Sequence, residues 1–453
     1  MANLGTLRDL CVKVFQRTSK PSDNTSVSIG TKSWIEDADG FGLNHLPYGA
    51  FRANGSTRLC VRIGDFVLDL AACAAGDVCE SLPAELRKSL TQPTLNALLA
   101  LGPLSWHTIR EWLTSVLGET SSDEVKSSIG LFIHPLNEVE LALPISIGNY
   151  TDFYASLHHA RRVGELFRPD NPLLPNYKHI PIGYHGRASS IVVSGTEVRR
   201  PWGQSRPSKE SEAPDFAPSA ALDYEVELAF IVGQGNTRGE PIPIAEAGGH
   251  LFGVALLNDW SARDIQSWEY QPLGPFLGKS FATSISPWIT PLAALEPFRV
   301  PALARPTGDP QPLPYLYNEV DQQNGALDIH VSAALIAGSR EMPLAQTNTR
   351  DLYWTPAQMA AHHTSNGCNL QPGDIFATGT LSGPERSSAG CLMELTRNGA
   401  EPLQLLDSER RAWLQDGDEI IFTAFCERPG LERIQLGSCT GRILPAHAAA
   451  ARI

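Results

Sequence analysis

From residue 145 onward the chain reads as a succession of short β-rich runs, at 190–194, 224–232, 251–257, 327–331, 419–425 and 437–444, each cut off by glycine, proline or polar turn residues. Strands do not alternate with crossover helices in this stretch, which disfavours a doubly wound parallel sheet and predicts a β-rich roll or sandwich for residues 145–453. The preceding segment has a different texture. LCVRIGDFVLDL at 59–70 alternates apolar and polar residues on either side of Gly64-Asp65, the pattern of a β-hairpin with a tight turn. Leu86, Leu90, Leu95, Leu98 and Leu99 then recur at helical spacing. The 453 residues are therefore expected to form a β-rich α+β protein of two domains, a small one over 41–144 and a larger one over 145–453, after an N-terminal extension at 1–40.

Composition narrows the partners. With 42% hydrophobic and 19% charged residues the chain is ordinary globular material, and a formal charge of −13 without a Lys/Arg run argues against nucleic acid. No stretch approaches the roughly 20 uninterrupted apolar residues of a bilayer span, so no membrane partner is expected. Of eight scattered cysteines, with no CxxC and no close histidine at zinc-ligand spacing, most are expected to be small buried hydrophobes, and their low density suits a reducing compartment, with the cytoplasm as the expected location. Residues 1–33 are basic and rich in Ser and Thr, so organellar targeting is the minor alternative. Residues 201–221 and the proline-rich 295–323 read as surface insertions.

Chemistry enters with LDYEVELAFIV at 222–232. Glu225 and Glu227 are two apart in a strand pattern, so both side chains leave one face among apolar neighbours. An isolated pair of this kind is ordinarily a solvated strand face. Two further acids stand in similar surroundings, Asp152 before Phe153 and Asp259 before Trp260. Crowded carboxylates in a β-rich core repel unless a cation or a shared proton offsets them. Four oxygen donors without His or Cys would favour calcium, magnesium or manganese over zinc.

His158 and His159 follow Asp152 closely, and His159 is the natural candidate for a general base because imidazole titrates near neutrality. Arg263, Gln266 and Lys279 come soon after Asp259 and would suit a developing oxyanion or enolate. GPFLGKSF at 274–281 lacks the spacing of a phosphate loop, and the bland alternative for Lys279 is a solvated loop lysine.

Taken together, YTDFYASLHHA (150–160), LLPNYKHIPIGYHGRASSIVVSGT (173–196), LDYEVELAFIVG (222–233), NDWSARDIQSWEYQPLGPFLGKSF (258–281), HHTSNGCNLQPGD (362–374) and ATGTLSG (377–383) closely resemble the fumarylacetoacetate hydrolase family. The likeness runs colinearly from Asn44 almost to Pro445. It implies a small SH3-like barrel N-terminal domain, a mixed β-roll or β-sandwich catalytic domain, a homodimer, and hydrolysis of the small molecule 4-fumarylacetoacetate to fumarate and acetoacetate. By matching positions, the resemblance places metal ligands for Ca2+ or Mg2+ on Asp152, Glu225, Glu227 and Asp259, with Lys279 and Thr283 beside them. The general base falls on His159 and its orienting acid on Glu394. Lys279, Arg263 and Gln266 fall on positions that stabilise the oxyanion and carbanion, and substrate contacts fall on Tyr154, Arg168, Gln266, Tyr270 and Thr380.

Overall fold

The computed structural model describes residues 32–36, 40–53, 55–206, 211–405 and 409–448. Lys32–Ile453 form one compact unit, and the basic stretch at 1–31 lies outside the described residues.

The first sheet grows from the hairpin expected at Gly64-Asp65. Ser56–Ile63 and Phe66–Asp69 pair antiparallel with Ile63 opposite Phe66, and Gly64 takes a φ of +53°, a left-handed conformation that glycine adopts at little cost. Three more strands give the order Ile133–Pro135, Phe66–Asp69, Ser56–Ile63, Tyr48–Ala53, Glu140–Ala142. This sheet is open, with Ile133–Pro135 and Glu140–Ala142 at opposite edges. The helical spacing beyond residue 82 becomes three helices, Ala84–Leu90, Asn96–Ala100 and Pro103–Leu117. The last two separate at Gly102-Pro103, where a φ of +82° breaks one helix and proline, which needs no N–H at a first turn, starts the next.

Residues 145–448 are a mixed β structure over their described positions. Its larger sheet runs Gly183–His185, Tyr150–Phe153, Ile375–Ala377, Val226–Val232, Leu251–Asp259, Thr283–Ile285, Ile191–Val193, with Thr290–Pro291 paired separately to Leu251–Asp259. A second sheet of five strands runs Arg340–Asn348, His330–Ala337, Glu419–Cys426, Ile434–Leu444, Val198–Arg199. Tyr150–Phe153 and Ile375–Ala377 pair in parallel, although 225 residues separate Ile375 from Tyr150, and neither is long enough to show a sequence period.

Strand alternation divides the two faces of the large sheet. Val226, Leu228, Phe230 and Val232 point into a core shared with Leu335, Ile420 and Phe422 of the second sheet. Ala229 and Ile231 point the other way, into a core that they share with Val61, Leu99 and Ile109 of the N-terminal segment, and with Ala255, Leu257 and Ala377 of neighbouring strands. The N-terminal segment thus roofs one part of the second face.

The proline-rich stretch lies at the surface over most of its length, with Leu313, Tyr317 and Val320 exposed, but it is pinned by buried anchors. Leu295, Phe298 and Leu316 are buried, and the Arg305 guanidinium lies 4.5 Å from the Tyr353 ring and 4.6 Å from the Trp354 ring. Residues 201–221 behave more as expected, forming the hairpin of Trp202–Ser205 with Asp215–Pro218, where Phe216 is exposed.

Candidate active site

Where the roof ends, the same face of the large sheet turns acidic. Asp152 comes from Tyr150–Phe153, Glu227 from Val226–Val232 and Asp259 from the end of Leu251–Asp259, while Glu225 stands just before its strand. Each offers an oxygen within 4.8 Å of the others'. All four are buried, at 2%, 5%, 0% and 1% exposure for Asp152, Glu225, Glu227 and Asp259, so the solvated-face alternative does not describe them.

Two cations meet this cluster. Lys279 Nζ donates to Glu225 Oε2 and to Asp259 Oδ2, and Arg263 Nη1 lies 2.7 Å from Glu225 Oε1. Lys279 is 7% exposed, which removes the loop-lysine alternative. Arg263 also serves a fifth buried acid: its Nε donates to Asp223 Oδ2 at 2.9 Å. If all ionise, five carboxylates against two cations leave three negative charges uncompensated in a low-dielectric space.

Burial and neighbouring charges decide where that excess falls. Burial pushes Glu225 up, but the Lys279 and Arg263 charges outweigh it and hold the carboxyl well below its usual range. Burial, and then the charges of neighbouring acids, push Asp152 and Glu227 well above theirs. Asp152 Oδ1 and Glu227 Oε1 are also buried without a hydrogen-bond partner. Two orphaned acceptors among four converging carboxylates fit a hard divalent cation, and the all-oxygen donor set fits calcium or magnesium better than zinc.

A second constellation lies beside the first. Ser156 caps the helix Leu157–Phe167 by accepting the His159 N–H, which fixes the start of the helix that carries His159. Its Nδ1 meets Glu394 Oε2 at 2.6 Å, across 235 residues of sequence. Glu394 Oε2 also accepts from Ser382 Oγ at 2.8 Å and Cys391 Sγ at 3.2 Å, and Arg162 Nη1 donates to Oε1 at 3.2 Å. Burial pushes Glu394 up, yet His159, Ser382 and Arg162 prevail and hold it at about 2, so it is a carboxylate at neutral pH. Because Nδ1 is engaged, Nε2 is the ring nitrogen left for chemistry. His158, one residue earlier, does not take part in this network and is half-buried.

The remaining expected residues are distributed unevenly. Thr283 Oγ1 donates to Asp259 Oδ1 at 3.2 Å, and Gln266 Oε1 accepts from Arg263 Nη1 at 3.2 Å. The Tyr154 ring stands edge-on to His159 with centroids 5.3 Å apart, and Thr380 Oγ1 is buried without a partner. Arg168 reaches the Pro172 carbonyl from the end of the His159 helix, and Tyr270 is 40% exposed, its hydroxyl accepting from Gln271.

Sequence reasoning passed over Tyr184, Asp223 and Arg162. Tyr184 lies opposite Asp152 in strand register and donates to Asp259 Oδ2 at 3.2 Å, although the strand of Asp259 is not its neighbour in the sheet. Asp223 carried a legible signal, since it extends the alternate-residue spacing of Glu225 and Glu227 by one step. Arg162 lies three residues after His159 on one helix, a spacing that shares a face.

Comparison with known proteins finds relatives over nearly the whole chain. Residues 149–444 match the sequence model described as fumarylacetoacetate (FAA) hydrolase C-terminal, and residues 44–144 match the one described as fumarylacetoacetase N-terminal. The fumarylacetoacetase of Bos taurus is 46% identical over 422 residues, covering 91% of this chain and 97% of that protein. The fumarylacetoacetase of Oryza sativa subsp. japonica is 46% identical over 428 residues, covering 92% and 97%. Among solved structures, the fumarylacetoacetate hydrolase of psychrophilic Exiguobacterium antarcticum aligns at 17% identity with a TM-score of 0.48, covering 89% of this chain and 100% of that one.

Proposed function

The chain belongs to the fumarylacetoacetate hydrolase family and is a hydrolase of carbon–carbon bonds, and on that premise we propose how its own residues cleave fumarylacetoacetate into fumarate and acetoacetate, the last step of tyrosine and phenylalanine breakdown. The observation that carries the reading is the His159–Glu394 pair standing beside the four-carboxylate cluster.

Asp152, Glu225, Glu227 and Asp259 would hold the divalent ion, calcium or magnesium, with Lys279 and Thr283 buttressing Asp259. When bound, that ion supplies Lewis-acid polarisation of the substrate's keto oxygens. Glu394 holds Nδ1 of His159, so Nε2 takes a proton from water. The resulting hydroxide adds to the carbonyl carbon on the fumaryl side. As the tetrahedral adduct collapses, the carbon–carbon bond breaks and its electron pair leaves on acetoacetate as an enolate. The proton on His159 returns to that carbon, and fumarate leaves as the carboxylate. Arg263, Lys279 and Gln266 meet the negative charge on the oxyanion and then on the enolate. Tyr154, Arg168, Tyr270 and Thr380 are assigned to substrate contact.

The same reading takes residues 41–144 as the SH3-like domain and 145–453 as the catalytic domain, and makes the enzyme a cytoplasmic homodimer. The two sequence models, one ending at residue 144 and the other starting at 149, support the division, and the buried free thiols of Cys60, Cys73, Cys79, Cys391, Cys426 and Cys439 suit a reducing compartment.

The test follows the loss of fumarylacetoacetate absorbance with the metal-replete protein, an EDTA-treated aliquot and an acylpyruvate in parallel. Metal-dependent release of fumarate and acetoacetate is the expected result. Turnover of the acylpyruvate alone would reassign the substrate within the family.

A further inference from the structure

Asp223 has no step in the reaction above, yet it is 0% exposed and both its oxygens are fully engaged. Oδ1 accepts from the backbone N–H groups of Tyr224 and Leu392, each at 2.8 Å. Oδ2 accepts from the Met393 N–H at 3.0 Å and from Arg263 Nε at 2.9 Å, with Arg263 Nη2 at 2.9 Å from the same oxygen. No lone pair is left over for a substrate or a metal, and Asp223 is not one of the four converging acids.

Its donors belong to two arms of the site that are remote in sequence. Arg263 continues through Nη1 to Glu225 at 2.7 Å and to Gln266 at 3.2 Å. Leu392 and Met393 open the helical turn Leu392–Leu395, which carries Glu394. The placement of Asp223 is itself secured, because Leu222–Asp223 pairs antiparallel with Ser261–Ala262 and sets Asp223 opposite Ser261, two residues before Arg263. The turn at 392–395 has no strand pairing of this kind to locate it against Arg263.

We propose that Asp223 is a positioning residue that ties the arm of Arg263 to the turn bearing Glu394, so that the cation that meets negative charge and the acid that orients His159 keep a fixed separation. A buried carboxylate is costly unless its oxygens are satisfied, and here the donors that satisfy it are the two arms themselves. Displacing either arm leaves Asp223 with an unmet acceptor, so the two are coupled through one side chain.

The inference rests on the roles given above to Arg263 and Glu394. Asp223→Asn keeps the shape but turns one acceptor into an NH2 that faces Arg263 or the 392–393 amides donor to donor. In the wild-type background kcat is expected to fall by about a hundred-fold, the scale of losing one oxyanion donor, with KM little changed. In an Arg263→Lys background the same substitution is expected to cost much less, because that arm is already released. No loss of kcat, or equal losses in the two backgrounds, would overturn the proposal. Should Asp223→Asn fail to fold, Arg263→Lys with Asp223 in place gives a second reading by amide hydrogen exchange across 391–395. Faster exchange in that turn supports the link, and unchanged protection refutes it. Exchange needs no substrate, so a protein that shows the coupling but leaves fumarylacetoacetate intact would sink the assigned reaction and retain the link.

Discussion

One face of the large sheet holds two regions that obey opposite rules. Around Ala229, Ile231, Ala255 and Leu257 it is apolar and covered by the N-terminal helices and hairpin. A few residues away, at Glu225, Glu227 and Asp259, it is acidic, with buried carboxylates in place of apolar side chains. The apolar region needs nothing beyond close packing to be stable. The acidic region is stable only with partners, and Lys279 and Arg263 supply part of what it needs. Backbone pairing is shared by the two regions, so the difference lies in the side chains.

Four measurements would break or sharpen this contrast. The largest effect belongs to the reactive end: His159→Ala is expected to lower turnover by about a hundred- to ten-thousand-fold, the usual range for a lost general base, while calcium binding measured by calorimetry stays intact. Turnover near wild type would remove His159 from its role. The apolar end should respond in stability instead. Ile231→Ala, at a side chain 0% exposed, is expected to cost about 2–5 kcal/mol in urea unfolding with calcium affinity retained. If calcium affinity fell in step with stability, the two ends would not be separable.

Metal comes next. Saturating calcium at about a hundred times its dissociation constant is expected to stabilise the wild type by about 2.7 kcal/mol. Glu227→Gln should abolish most of that gain yet leave the metal-free melting temperature unchanged or higher, because it removes a like charge. A metal-free protein weakened by Glu227→Gln would mean that this carboxylate serves the fold.

The smallest effect is acid sensitivity in the roof. His45 is buried against Thr290, with Nε2 2.9 Å from Oγ1, and burial lowers its pKa to about 3. Below about pH 6.5 the unfolded chain takes up a proton that folded His45 refuses, so stability falls with pH from about 6.5 down to about 3, at up to about 1.4 kcal/mol per pH unit. His363, which burial lowers to about 4, adds a contribution of the same sign over a narrower window. His45→Gln should therefore flatten, without abolishing, the slope of urea midpoints between pH 6.5 and 5. Glu394 acts lower, since its contribution is present above about pH 4.3 and is lost as pH falls toward about 2. An undiminished slope in His45→Gln would show that His45 is not held neutral in the fold.

Much of this contrast was legible before any coordinates, but only where it is local. The hairpin at Gly64-Asp65 follows from alternation and a two-residue turn, and the common face of Glu225 and Glu227 follows from the period of a strand. The proline-rich 295–323 was legible as a surface stretch but its buried anchors Leu295, Phe298 and Leu316 were not, because composition reports the absence of regular structure and not which side chains turn inward. Tyr184 and Arg162 were passed over for a related reason, since a tyrosine or an arginine acquires a role only from the acid that tertiary structure sets against it.

By itself the sequence determined the strand-rich character of 145–453, the common side on which Glu225 and Glu227 stand, and the hard-ion chemistry of the candidate donors, all consequences of spacing and side-chain chemistry. Tertiary structure alone decided that Asp152, Glu225, Glu227 and Asp259 converge, that Lys279 is buried between two of them, and that His159 rather than His158 meets Glu394. These relations join segments as much as 235 residues apart. No local period encodes such a distance, because which strands become neighbours is settled by the packing of the whole sheet.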